Sequence, residues 1–141
     1  MTASPSYVLA IDLGTSGPKA ALVSEHGEVS ARSIRTIVTR LIPPNGAEQD
    51  PDDVWGAVAS AIREITGTAG VPRESIVAVA VASQYFSIVP VGADGEAVGP
   101  LLLWLDARGG PHAVALYSKH PNAFLRWMEG TDDQSWRDEL E

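Results

Sequence analysis

The sequence predicts an α/β domain, a mixed sheet with helices packed on it, in the order β-β-β-α-β-β-β-α. Three observations predict it. An apolar run, Tyr7 to Ile11, ends in Asp12 and a string of small residues, the pattern of a strand buried on both faces. Two more β-rich stretches follow through short turns, which makes an antiparallel meander. A strongly signalled helix then leads to Ile76–Ala82, where Val and Ala alternate, and this reads as a buried strand returning beside the first.

Each element has its own signal. Leu13-Gly14-Thr15-Ser16-Gly17 is a small-residue turn, and Lys19 to Ser24 resumes as the second strand. His26-Gly27 turns the chain again, and Glu28 to Thr39 carries many β-branched residues, as a third strand would. Ile42 to Gly46 reads as a loop. Asp50-Pro51-Asp52-Asp53 is a helix start: Asp50 can cap, Pro51 suits the first helical position, and acids favour the positive helix end. Val54, Val58, Ile62 and Ile65 recur at helical spacing with Trp55 and Ala61 on the same side, and Gly67 is a candidate C-cap. Phe86 to Val91 predicts a strand, Ala93-Asp94-Gly95 a hairpin-type turn, and Leu101 to Trp104 a further apolar strand. Residues 111–119 are expected to be helical, and Asn122 to Glu129 to form a short helix before an irregular tail.

Composition bounds the function. The chain has 141 residues, the size of one domain, and 45% are apolar, enough for a core. The whole of 1–141 is expected to be a single, incomplete domain with its core at 7–118 and a tail at 119–141. A net charge of -8 disfavours binding to nucleic acid or anionic membrane, which need clustered Lys and Arg. The late acids Glu129, Asp132, Asp133, Asp138, Glu139 and Glu141 read as a solvated surface. Without cysteine there are no disulfides, zinc thiolates, iron–sulfur clusters or Cys nucleophiles. His26, His112 and His120 form no metal-ligand pattern. No apolar run is long enough to cross a membrane and no basic region precedes an apolar one at the N-terminus, so a cytoplasmic location is expected.

Four segments can carry chemistry. In Asp12-Leu13-Gly14-Thr15-Ser16-Gly17-Pro18-Lys19, a carboxylate at a strand end can reach a hydrated Mg²⁺. Gly14 and Gly17 can admit phosphate oxygens close to the backbone, Thr15 and Ser16 add hydroxyls, and Lys19 adds a positive charge. Phosphoryl transfer needs such a cradle, since its catalysis is mostly positioning and charge neutralisation. The plain alternative is a glycine-rich hairpin with a solvated Asp. At Ser83-Gln84-Tyr85-Phe86, Gln84 can hydrogen-bond a sugar hydroxyl and Tyr85 or Phe86 can stack on a sugar face; the alternative is a polar strand end followed by core aromatics. Asp106 and Arg108 can pair and shape a pocket wall, or form an exposed structural ion pair. Glu48-Gln49-Asp50-Pro51 is explained by helix capping alone.

In this order, the four segments resemble the carbohydrate kinases of the FGGY family. Ala10-Ile11-Asp12-Leu13-Gly14-Thr15-Ser16 is similar to the family's first phosphate motif, and Glu48-Gln49-Asp50-Pro51 with Trp55 to the opening of its first long helix. Gln84 is similar to the glutamine that ends the strand at the sugar site, and Trp104, Asp106 and Arg108 to the family's Trp-x-Asp-x-Arg segment. The resemblance covers residues 7–118. It implies an RNase H-like domain of the actin/hexokinase/Hsp70 superfold, and ATP and Mg²⁺ as cofactors. By the same resemblance Asp12 positions Mg²⁺, Gly14, Thr15, Ser16 and Lys19 meet the ATP phosphates, and Gln84, Tyr85, Asp106 and Arg108 meet a sugar or polyol.

The nearest subgroups are xylulokinase-like and gluconate-kinase-like. Ala47 departs from the aromatic residue the family often carries there, and Tyr85-Phe86 departs from the pairs found in glycerol kinases and xylulokinases. The resemblance places the catalytic aspartate, the adenosine pocket and a C-terminal partner domain downstream of residue 141. Negligible turnover by this chain alone is therefore expected. Two rivals stay open: another ATPase of the superfold, and a non-catalytic truncated or regulatory fragment with exposed apolar surface. Homo-oligomer formation is not decided by the sequence.

Overall fold

The computed structural model describes residues 5–122. The chain divides into two compact units, Met1–Asp106 and Ala107–Glu141. The first holds two sheets and a long helix. Strands β1 (Tyr7–Gly14), β2 (Gly17–Ser24) and β3 (Val29–Ile34) form the expected antiparallel meander. Strands β4 (Arg40–Ile42) and β5 (Gly46–Gln49) make a hairpin, and helix α1 (Pro51–Thr68) follows. A single 3₁₀ turn, Arg73–Ser75, leads into β6 (Ile76–Ser83), and β7 (Leu101–Leu102) closes the unit. The four-stranded sheet runs β3-β2-β1-β6, with β6 parallel to β1, and the three-stranded sheet runs β4-β5-β7. In the second unit the described element is helix α2 (Gly110–Lys119).

Alternation along the strands sorts the large sheet into two faces. Leu9 and Ile11 of β1 pair with Leu22 and Ala20 of β2 and share a face with Ser33 of β3. Helix α1 packs on this face over β2 and β3, and its Ala61 and Ile65 complete the core with Leu9, Ile11 and Ala20. Asp50 caps the helix as expected, its side chain accepting the Asp52 N–H at 3.0 Å, with Pro51 in the first turn. Arg35, just beyond β3, locks the helix down: its guanidinium donates to Glu64 Oε2 at 2.6 Å, and Ser33 Oγ donates to the same oxygen.

Several expectations are corrected. The third strand stops at Ile34, and the stretch read as a loop before α1 is the β4–β5 hairpin. Pairing of β5 with β4 and β7 gives Ala47 and Gln49 a sheet to belong to. The strand expected over Phe86–Val91 is reduced to isolated bridges, Ile88 to Leu102 and Val91 to Ala97. Proline at 90 has no N–H for a ladder, and Phe86 sits at φ 52, outside any strand conformation. The turn around Ala93-Asp94-Gly95 is present, with Gly95 at φ 86 and its N–H bonded to Gly92 O. Trp55 lies 69% exposed, off the packed face, and α1 runs past Gly67 to Thr68, with Ala69 as its C-cap.

Strand β6 lies beside β1 as expected, but it is not buried. Val77, Val79 and Val81 are 65%, 60% and 61% exposed. They share the face of Leu9 and Ile11, yet α1 covers β2 and β3 instead. The short helix and acidic tail expected beyond Asn122 lie outside the described residues.

Candidate active site

The β1–β2 turn sits where the sequence places the phosphate cradle. Thr15 and Ser16 link Gly14 to Gly17, which face each other at the end of the ladder. Asp12 and Lys19 are cross-strand partners on the face away from α1. Lys19 Nζ donates to Asp12 Oδ2 at 2.8 Å, and both side chains are half exposed. An open groove of about 930 Å³ runs over this face, with Asp12 and Lys19 at its wall and Ala10, Ala21, Ala80 and Ala82 along it.

The two glycines have different jobs. A Cβ on Gly14 would come 3.3 Å from Lys19 Nζ and 3.8 Å from Asp12 Oδ2, so this glycine keeps space open beside the carboxylate–ammonium pair. A Cβ on Gly17 would lie 2.0 Å from Arg35 O, and its φ is +134. The chain past β3 crossing over Gly17 is by itself enough to require a glycine there. That segment is stitched to the turn, with Arg35 N–H on Pro18 O at 2.9 Å and Ile37 N–H on Ser16 O at 3.2 Å.

Thr15 is held from several sides. Gln49 of β5 is fully buried, and its Nε2 donates to Thr15 O at 2.6 Å and to Thr39 Oγ1 at 2.9 Å. Its Oε1 is buried with no hydrogen-bond partner. The Thr15 hydroxyl donates to Gln84 Oε1 at 2.9 Å and accepts from Trp104 Nε1 at 3.2 Å. Gln84 is itself fixed by its own N–H, which donates to Leu13 O at 2.9 Å as the β1–β6 ladder ends. Segments far apart in sequence therefore meet at one side chain.

Asp12, Gly14, Thr15, Lys19 and Gln84 are thus brought together, with Ser16 exposed at the tip of the turn. Tyr85 and Phe86 follow Gln84 as an exposed pair, ring centroids 3.9 Å apart and tilted 47°. Asp106 Oδ2 accepts the Ala47 N–H at 2.9 Å, so one carboxylate oxygen holds β5 to the chain after β7. Arg108 belongs to the second unit. Gln49 is a residue that sequence reasoning passed over, because capping explained its neighbours; a buried amide between two acids leaves no periodic signal.

The arrangement suits an anion beside a hard cation. An Asp carboxylate is the oxygen ligand that Mg²⁺ prefers, often through water, and the Lys19 ammonium and the space at Gly14 suit phosphate oxygens. Among the described residues no group of three or more acidic or histidine side chains could hold a metal by protein ligands alone. Nor is any described helix long and apolar enough to cross a membrane.

The N-terminal domain of the FGGY family of carbohydrate kinases matches residues 7–134. A glycerol kinase of Xanthobacter autotrophicus is 29% identical over 126 residues, 89% of this chain and 25% of that protein. Among solved structures, the xyloylose kinase from Brucella ovis superposes with a TM-score of 0.74 at 26% identity, over 79% of this chain and 24% of that one. The gluconate kinase from Lactobacillus acidophilus gives 0.67 at 25%, over 82% and 25%. These neighbours carry the actin/hexokinase-like fold, and the chain spans about a quarter of their length.

Proposed function

Because the chain belongs to the FGGY family of carbohydrate kinases, we propose that it forms the phosphate-binding part of an enzyme that phosphorylates a sugar or polyol hydroxyl from Mg-ATP. One observation carries this: Thr15 of the phosphate turn and Gln84 of the acceptor loop are joined by a single 2.9 Å hydrogen bond. Groups held by these two residues lie side by side, and transfer needs a phosphoryl donor and an alcohol acceptor held as neighbours.

Each residue then has a task. Asp12 orients the hydration shell of Mg²⁺, and Lys19 neutralises phosphate charge once it turns from Asp12. Gly14 gives phosphate oxygens room, and the Thr15 and Ser16 groups at the turn offer donors. Bound Mg-ATP supplies the transferable phosphoryl group. On the acceptor side, the Gln84 amide, the Tyr85 face and Asp106 orient the sugar. The general base, an aspartate, is assigned to sequence beyond this chain, and domain closure excludes water so that the sugar is phosphorylated.

The test has two arms. Calorimetric titration of the 141-residue chain with Mg-ATP and with pentoses, hexoses and polyols is expected to show saturable binding, weakened at least tenfold by Asp12→Asn. A coupled assay is expected to show negligible sugar-dependent ATP consumption. Absence of nucleotide binding by a folded chain overturns the phosphate assignment, and measurable turnover overturns the need for a base from elsewhere. A second reading, a fragment that binds without turnover, is favoured by the bare valines of β6. Size-exclusion and dye-binding measurements address it, with concentration-dependent association and bright dye fluorescence as its signature.

A further inference from the structure

The Thr15 hydroxyl has one proton, and the structure shows where it goes. The Trp104 indole can only donate, so at 3.2 Å it occupies a lone pair of Thr15 Oγ1 and cannot take the proton. The proton is given to Gln84 Oε1 at 2.9 Å. Gln49 fastens the Thr15 carbonyl at 2.6 Å, which holds in place the backbone that carries this hydroxyl. A phosphate oxygen in front of the turn can gain this donor only by taking it from Gln84.

Resting on the kinase assignment above, we propose that Thr15 couples the two halves of the site, so that nucleotide and acceptor each tighten binding of the other. A hydrogen bond to an anion is stronger than one to an amide, so an arriving phosphate wins the Thr15 proton. Gln84 Oε1 then loses its protein donor and, half-buried, keeps only restricted access to water, which is less favourable. An acceptor alcohol donating its own O–H to Gln84 removes that cost. Linkage makes the effect reciprocal: the alcohol promotes phosphate binding by the same factor. Thr15 acts here as a positioning residue, through the proton it passes between partners.

The experiment uses the 141-residue chain and titrates Mg-AMPPNP by calorimetry, with and without a saturating polyol, glycerol and xylitol each being tried. The difference of one satisfied hydrogen bond corresponds to roughly 2- to 10-fold tighter nucleotide binding when polyol is present. Thr15→Ser keeps the hydroxyl and is expected to keep the coupling. Thr15→Val and, independently, Gln84→Met are expected to reduce it to no more than about 1.5-fold. The Trp104 indole N–H resonance, assigned through Trp104→Phe, gives a second readout. It is expected to move in Thr15→Val and, in the unaltered chain, on adding Mg-AMPPNP. Both ligands binding independently, or coupling that survives in Thr15→Val and Gln84→Met, overturns the proposal and leaves the kinase assignment standing. Failure of both ligands to bind the folded chain removes that assignment and the coupling with it.

Discussion

Two halves of one sheet face are treated oppositely. Under α1, β2 and β3 bury Ala20, Leu22 and Ser33 at 4%, 0% and 5% exposure. On the same face, β6 leaves three valines at 60% exposure or more. The bare strand is the most apolar of the three, Ser83 being its one polar residue, so composition did not decide the outcome. Position did: α1 is tied by Arg35 and Glu64 to the β3 side and does not reach across β1 to the open edge. Uncovered valines on an uncharged edge strand leave apolar surface and unpaired backbone groups in contact with water. The covered half, by contrast, stabilises the turn on which the site depends.

The contrast can be broken by substitution. The largest effect is expected at the seam that holds the meander together, where Gly17→Ala forces a Cβ against Arg35 O. A loss of about 3 kcal/mol or more is expected from urea unfolding, because both the clash and the positive φ are unfavourable. Next comes Ile65→Ala, which empties a 1% exposed core position and is expected to cost about 2–5 kcal/mol. Its counterpart on the bare half, Val79→Ala, is expected to cost less than about 1 kcal/mol while lowering dye fluorescence. Equal costs at the two positions would show that the halves are equally buried in solution. Asp50→Ala removes the α1 cap and is expected to cost about 1 kcal/mol in the same assay.

The smallest effect is a pH dependence. The Ser33 hydroxyl, then the Arg35 guanidinium, hold the Glu64 carboxyl below its ordinary value. A carboxylate with a lowered folded pKa adds stability that is complete above its unfolded pKa and is lost as pH falls through the folded one. Glu64→Gln is therefore expected to lower the melting temperature slightly at pH 7, with the gap to the unaltered chain closing in acid. A gap that stays constant from pH 7 down to acid would show that the carboxylate's charge contributes nothing.

Much of the fold was legible in the sequence. The apolar run ending in Asp12, the small turn and the Asp50-Pro51 helix start are local signals, and local physics realised them. The β4–β5 hairpin escaped because a three-residue strand beside Pro43-Pro44 has no period to detect. The exposure of β6 escaped because alternation shows which side chains share a face, not whether anything covers it. At the site, the Asp12–Lys19 pair follows from strand register, but the Gln49 clamp and the Trp104 bond to Thr15 are long-range contacts with no local trace. Gly17 hid a reason of another kind: glycine in such a turn has a ready local explanation, and the steric one lay in a segment some twenty residues on.

The most direct measurement follows the backbone amides of Gly14, Thr15, Ser16 and Lys19 by NMR while Mg-ATP is added to the chain. Saturable shifts centred on these residues, absent with Mg-AMP, are the predicted result. A folded chain whose turn amides stay fixed while Mg-ATP binds elsewhere, or does not bind, would contradict the assignment of this turn to nucleotide phosphates.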